Sequence, residues 1–166
     1  VPPTTILDGT ETTNTLTWTF DSNTEAFDFL ATGETLVLTY TVCATDDAGT
    51  PLSDTETVTV TITGTNDAAM IAGTLAGTVD EDSAVPSTVT GTATAADVDN
   101  TDDAFQVTSG STTYGTFSVD AAGVWTYTLD DTNADVEALN DTDGLTDSFL
   151  VTSDDGTTET VNITIT

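Results

Sequence analysis

The side chains in this sequence that could do chemistry are nearly all carboxylates, and several stand in pairs or beside an asparagine. Asn66-Asp67 closes the run TVTVTITGTND. Asp80-Glu81-Asp82 forms a triplet, and Asp97 and Asp99 are spaced as Asp-x-Asp in DVDN. Asp46-Asp47 and Asp154-Asp155 each stand just ahead of a glycine, as DDAG and DDG. Carboxylates mixed with amide and backbone oxygens are the ligands of a hard divalent cation, and Ca²⁺ gathers about six to eight of them. The plain alternative is that Asn-Asp is a polar turn, DVDN an exposed loop, and the two Asp-Asp pairs hairpin turns whose glycine supplies a positive φ. No stretch fits the EF-hand loop D-x-[DN]-x-[DN]-G. Paired carboxylates can also hydrolyse glycosides. Among 29 acidic residues, however, some pair falls at a working distance by chance, and no cluster of sugar-stacking aromatics lies outside the strand patterns.

What the chain lacks narrows the chemistry further. It has no lysine, arginine or histidine, and its formal net charge is −29. It therefore cannot neutralise phosphates, which argues against a nucleic-acid partner. A Ser-His-Asp triad, a catalytic lysine and an arginine clamp on an oxyanion are equally out of reach. One cysteine and no histidine rule out a His/Cys zinc site and an internal disulfide. So much like charge must be screened by salt or neutralised by bound cations, and the acidic clusters favour Ca²⁺. No apolar run is long enough to cross a membrane, so no membrane insertion is expected. Val1-Pro2-Pro3 does not begin a signal peptide, and the chain reads as a piece of something larger.

The elements that must position these carboxylates are strands. Highly charged chains are often disordered, but here 37% of residues are apolar and they recur at every second position. Leu16, Trp18 and Phe20 are set to share one face. So are Leu36, Leu38, Tyr40 and Val42, and again Val58, Val60 and Ile62, with threonine on the outward side. The class is all-β; EAFDFL and ADVEAL allow at most one helical turn each. Trp18, Trp125, Tyr40, Phe149 and Tyr127 read as core. Cys43, on the threonine side of its strand, reads as a surface position, with an intermolecular disulfide as the alternative.

The chain also repeats itself. TLTWTF (15–20) matches GVWTYTL (123–129), placing Trp18 on Trp125. FDFLATGETLVLTYTV (27–42) matches VEALNDTDGLTDSFLV (136–151), with Leu30 on Leu139, Leu36 on Leu145, Tyr40 on Phe149 and Val42 on Val151. TDDAG matches SDDG, and TVTVTIT matches TVNITIT. Between Asp67 and Trp125 lies sequence that has no counterpart in the first copy. The expected division is therefore 1–66, the back part of one repeat without its N-terminal strands, and 67–166, a complete repeat of about 100 residues, an ordinary size for one sandwich.

ITGTND, VDEDS, ATAADVDN, TYGTFSVDAAGVWTYTLD, EALND and LTDSFLVTSDDGTTETVNITIT together resemble the VCBS repeat of giant bacterial surface adhesins and RTX-type secreted proteins. The resemblance covers nearly all of the second copy and the first from about Leu16. It departs at Ala68-Ala69, where the family usually has a proline, so this junction lacks a proline's stiffness. The resemblance implies tandem immunoglobulin- or cadherin-like Greek-key β-sandwich repeats, secreted or on the cell surface and calcium-loaded. Such repeats stand in long arrays that hold an adhesive tip away from the cell.

By the cadherin layout, Asn66, Asp67, Glu81, Asp97 and Asp99 would bind Ca²⁺ at the joint between repeats. Asp46 or Asp47, with Asp154 in the matching loop, would be the next candidates. Asp102-Asp103, Asp130-Asp131 and Asp141-Asp143 read as solvated surface. The expected function is a non-catalytic extender stiffened by Ca²⁺, whose partners are neighbouring repeats of the same or an adjacent chain. The alternatives are a glycan-binding module and a filament subunit, a homopolymer built by strand addition between chains. Without lysine or arginine, neither the native nor the unfolded chain offers trypsin a site.

Overall fold

In a computed structural model of the protein, residues 15–46, 50, 52–83, 86–100, 103–140 and 142–166 are described. They form ten β-strands and, among the described residues, no helix. The chain divides into two compact units. The first comprises the described residues up to Phe27 together with Leu36–Ile62, and the second comprises Asp28–Thr35 together with Thr63–Thr166.

In the first unit, β1 (Thr35–Thr45) and β2 (Ser53–Thr63) make a two-stranded sheet. Leu36, Leu38, Val42, Val58, Val60 and Ile62 share the expected face but are only half-buried. Two core expectations fail here. Residues 15–20 form no strand, and Trp18 and Tyr40 are each 47% exposed. Alternation makes a strand possible, but a core needs a second layer against its apolar face. Among the described residues of this unit, no second sheet supplies one.

The second unit is a β-sandwich. β3 (Met70–Gly73), β5 (Thr88–Ala96), β8 (Val124–Leu129), β7 (Gly115–Val119) and β6 (Thr108–Ser111) form one sheet, in that order. β4 (Ala76–Val79), β10 (Thr158–Ile165) and β9 (Leu145–Thr152) form the other, with β4 parallel to β10. The opening strand is thus split between sheets, β3 pairing with β5 and β4 with β10, which ties the two layers at one edge. Trp125, Tyr127 and Leu129 on β8 face Phe149 and Val151 on β9 and Val161, Ile163 and Ile165 on β10. Phe149 stacks on Phe117 at 4.5 Å between ring centroids and meets Trp125 edge-on at 5.7 Å. Trp125 fits because its cross-strand partner is Gly91, where any Cβ would run into the indole. The sequence 134–138 makes turns only, as ADVEAL suggests.

One crossing places the loops that matter. Phe105 bridges Ser153 and the Gln106 N–H donates to the Thr152 carbonyl, so this segment starts beside β9 before β6 joins β7. The loop after β5, which carries DVDN, is thereby held next to the β9–β10 turn.

Candidate metal centre

Three backbone segments bring carboxylates together at the end of the second unit where β5 and β9 finish. The segment leading into β3 carries Asn66 and Asp67, and the loop after β5 carries Asp97, Asp99 and Asp103. The turn between β9 and β10 carries Asp155. The Asp154 N–H donates to the Ala104 carbonyl at 2.9 Å, fastening that turn to the loop.

The carboxylates then knit the three segments. Asp99 Oδ2 accepts the Asp67 N–H at 3.1 Å, and Asp97 Oδ1 accepts the Asp99 N–H at 3.2 Å. Asp103 Oδ1 accepts the Asp97 N–H at 3.1 Å. Asp155 Oδ2 accepts the Ala69 N–H at 3.2 Å and, more weakly, the Asn66 amide at 3.4 Å. Oδ1 of Asp155 takes the Ser153 hydroxyl and the Thr157 N–H, and Oδ2 takes the Thr157 hydroxyl at 2.7 Å. Gly156, at φ 94°, closes this turn in the positive-φ role expected of DDG.

The charges are not all satisfied. Asp97 Oδ2 and Asp99 Oδ1 are shielded from solvent and have no hydrogen-bond partner. Burial pushes the Asp97 carboxyl above its ordinary range, helped by the neighbouring carboxylates of Asp99 and Asp155 and opposed by the Asp99 N–H. Asp155 differs. Burial alone would raise it, but the Ser153 and Thr157 hydroxyls and the backbone N–H groups of Thr157 and Ala69 hold it well below that range. It is therefore a firm anion. Desolvated carboxylate oxygens without donors are costly unless a cation sits against them, and no side chain in this sequence can supply one. An oxygen-only, strongly anionic donor set suits Ca²⁺. Among the described residues, no three acidic side chains already surround a metal-sized position.

The candidates from the sequence are distributed unevenly. Asn66, Asp67, Asp97 and Asp99 are brought together. Glu81 is not: it follows β4, whose end pairs with the end of β10, while Asp155 precedes the start of β10. A strand of this length spans roughly 25 Å, so the two groups occupy opposite ends of the sandwich. There the Glu81 N–H donates to the Thr166 carbonyl. Burial, then the charges of Asp82, Glu137, Asp80 and Asp131, raise its carboxyl. In the matching turn, Asp154 is exposed and contributes only its N–H; its neighbour Asp155 makes the contacts. Asp103, read from sequence as solvated surface, anchors Asp97. A signal for Asp155 was present in Ser153 and Thr157, whose hydroxyls flank it two residues away on each side. Asp46 lies in the β1–β2 turn of the first unit, its N–H donating to the Leu52 carbonyl and its Oδ1 accepting the Leu52 N–H. Asp47 lies outside the described residues.

Residues 66–166 match the family described as the bacterial cadherin-like domain. No curated protein matches the chain.

Proposed function

From the premise that the chain belongs to the bacterial cadherin-like domain family, we propose that it is a non-catalytic extender module of VCBS type, stiffened by Ca²⁺. Its setting is a large extracellular bacterial adhesin or surface fibre that acts in adhesion and biofilm formation. Domains of this family are typically extracellular or surface-borne, adhesion-type and non-catalytic, and they generally bind calcium. No helix among the described residues is long and apolar enough to cross a membrane.

The observation that carries the proposal is the pair of shielded, partnerless oxygens on Asp97 and Asp99, beside the firmly ionised Asp155. In this reading Asp97, Asp99 and Asp155 hold the ion, with Asp67 and Asn66 joining from the segment that enters the domain. The ion neutralises them and fixes that entering segment. At a calcium concentration a hundredfold above Kd, one site adds about 2.7 kcal/mol to stability. Titration calorimetry on the full chain tests it. Calcium binds, and Asp99→Asn, which keeps shape and removes charge, weakens binding at least tenfold. Equal affinity in the variant would sink the assignment.

A second reading has one observation in its favour. Among the described residues β1–β2 is a two-stranded sheet with no further strand at either edge, and a neighbouring chain that adds strands there builds a homopolymer. Light scattering over a concentration series decides it. Growth in mass with concentration supports a filament, and a constant monomer mass removes it.

A further inference from the structure

A buried side-chain hydrogen bond also joins the two layers of the second unit within the core. Tyr127 on β8 is fully buried, and its hydroxyl donates to Asp147 Oδ2 on β9 at 2.8 Å. The same oxygen accepts the Tyr114 N–H at 2.9 Å, and Oδ1 accepts the Ser148 N–H at 2.9 Å. Asp147 itself is only 9% exposed. Tyr114 and Tyr127 both belong to the half of the repeat that precedes the β9–β10 hairpin, and the carboxylate belongs to that hairpin. Gly115 keeps the place open, since a Cβ there would lie 2.7 Å from the Tyr127 hydroxyl.

The duplicated sequence holds a different pair at these positions. The offset that sets Trp18 on Trp125 sets Phe20 on Tyr127. The offset that sets Leu36 on Leu145 and Tyr40 on Phe149 sets Leu38 on Asp147. Both members change together, from two apolar side chains to a hydroxyl and a carboxylate.

We propose that Tyr127 and Asp147 form a pairing code that keeps the front half of this repeat on its own β9–β10 hairpin and off the β1–β2 hairpin. The inference rests on the duplication and is independent of calcium. The closing strands β2 and β10 are near-copies, TVTVTIT against TVNITIT, while β1 and β9 share only part of their apolar spacing, and misassembly between neighbouring repeats is a characteristic failure of tandem proteins. A front half laid on β1–β2 sets the Tyr127 hydroxyl against Leu38, burying a donor with no acceptor. It also leaves Asp147 without the Tyr114 and Tyr127 donors. Each loss penalises the wrong pairing while leaving the right one intact, which is how specificity is obtained from unmet polar groups.

Refolding of the full chain tests the code. Trp18→Phe leaves Trp125 as the single tryptophan, and an energy acceptor is attached at Cys43 on β1. The chain is unfolded in urea and returned to buffer of fixed ionic strength. Its energy transfer is then compared with that of a sample never unfolded. In this background the refolded and untreated samples agree. Tyr127→Phe with Asp147→Leu, which gives the second repeat the apolar pair of the first, increases the fraction refolding to a different transfer several-fold. Leu38→Asp leaves the second repeat untouched and gives β1 the missing acceptor; it increases that fraction too. If the double variant does not fold, Leu38→Asp decides alone. Either variant refolding as cleanly as the background overturns the proposal.

Discussion

The hairpins β1–β2 and β9–β10 share nearly the same closing strand and part of their apolar spacing, yet end in different states. Val161, Ile163 and Ile165 are at most 1% exposed, whereas their counterparts Val58, Val60 and Ile62 are half-buried. Phe149 is wedged between Phe117 and Trp125, while its counterpart Tyr40 is 47% exposed. The difference lies in what covers the strands. A five-stranded sheet lies over β9–β10, and among the described residues of the first unit no sheet lies over β1–β2. Alternation thus specifies a strand and its two faces. Burial, and the stability that follows from it, is conferred by the opposing layer.

Substitution at matched positions would break that comparison most sharply. Trp125→Ala removes the fully buried centre of the core and is expected to cost about 3–5 kcal/mol. Trp18→Ala, at a half-exposed indole, should cost under about 1 kcal/mol. Urea unfolding followed by far-UV circular dichroism reads both, and equal costs would mean that the two tryptophans have equivalent surroundings. Next in size, Ile163→Ala is expected to cost about 2–5 kcal/mol, and Val60→Ala distinctly less. Matching shifts in midpoint would contradict the contrast between covered and uncovered faces.

A pH series sharpens the comparison at Asp147, whose counterpart Leu38 does not titrate. Burial pushes the Asp147 carboxyl up, but hydrogen bonds from Thr112, the Tyr114 N–H, Tyr127 and the Ser148 N–H outweigh it and leave it below its ordinary value. A carboxyl lowered in the folded state stabilises fully above its unfolded pKa, near about 4. That contribution is lost as pH falls through the folded value. Thermal midpoints should therefore fall on acidification, and Asp147→Asn should flatten the fall. An unchanged slope in the variant would remove Asp147 from the acid response. The smallest effect is expected at Cys43, exposed on β1 and matched by Thr152. Cys43→Ser should shift stability by no more than about 0.5 kcal/mol.

Legibility in the sequence followed the range of the interactions involved. The strands β8, β9 and β10 could be read through their match to the alternating segments 15–20, 36–42 and 57–63, and Trp125, Tyr127 and Phe149 lie on buried faces. Trp18 and Tyr40 carried the same signal without the same outcome, since a repeating pattern does not say whether its cover is present. Asn66, Asp67, Asp97 and Asp99 could be read as chemistry from their types and spacing. Asp154 and Asp155 could not be told apart, because the choice depends on which side chain of the turn points back to Ala69. The cadherin layout groups Glu81 with the others. The parallel pairing of β4 with β10, a long-range feature, sends it to the opposite end of the sandwich.

The central claim concerns the carboxylates at the entering end, and one measurement reaches it most directly. Thermal unfolding and small-angle scattering at fixed ionic strength would be compared in EDTA, in magnesium and across a calcium series. The account predicts that calcium alone raises the midpoint by several degrees and makes the particle more extended, with Asp97→Asn and Asp99→Asn abolishing both changes. Midpoints and scattering that are the same in EDTA and calcium would contradict it and leave the acidic cluster as solvated surface.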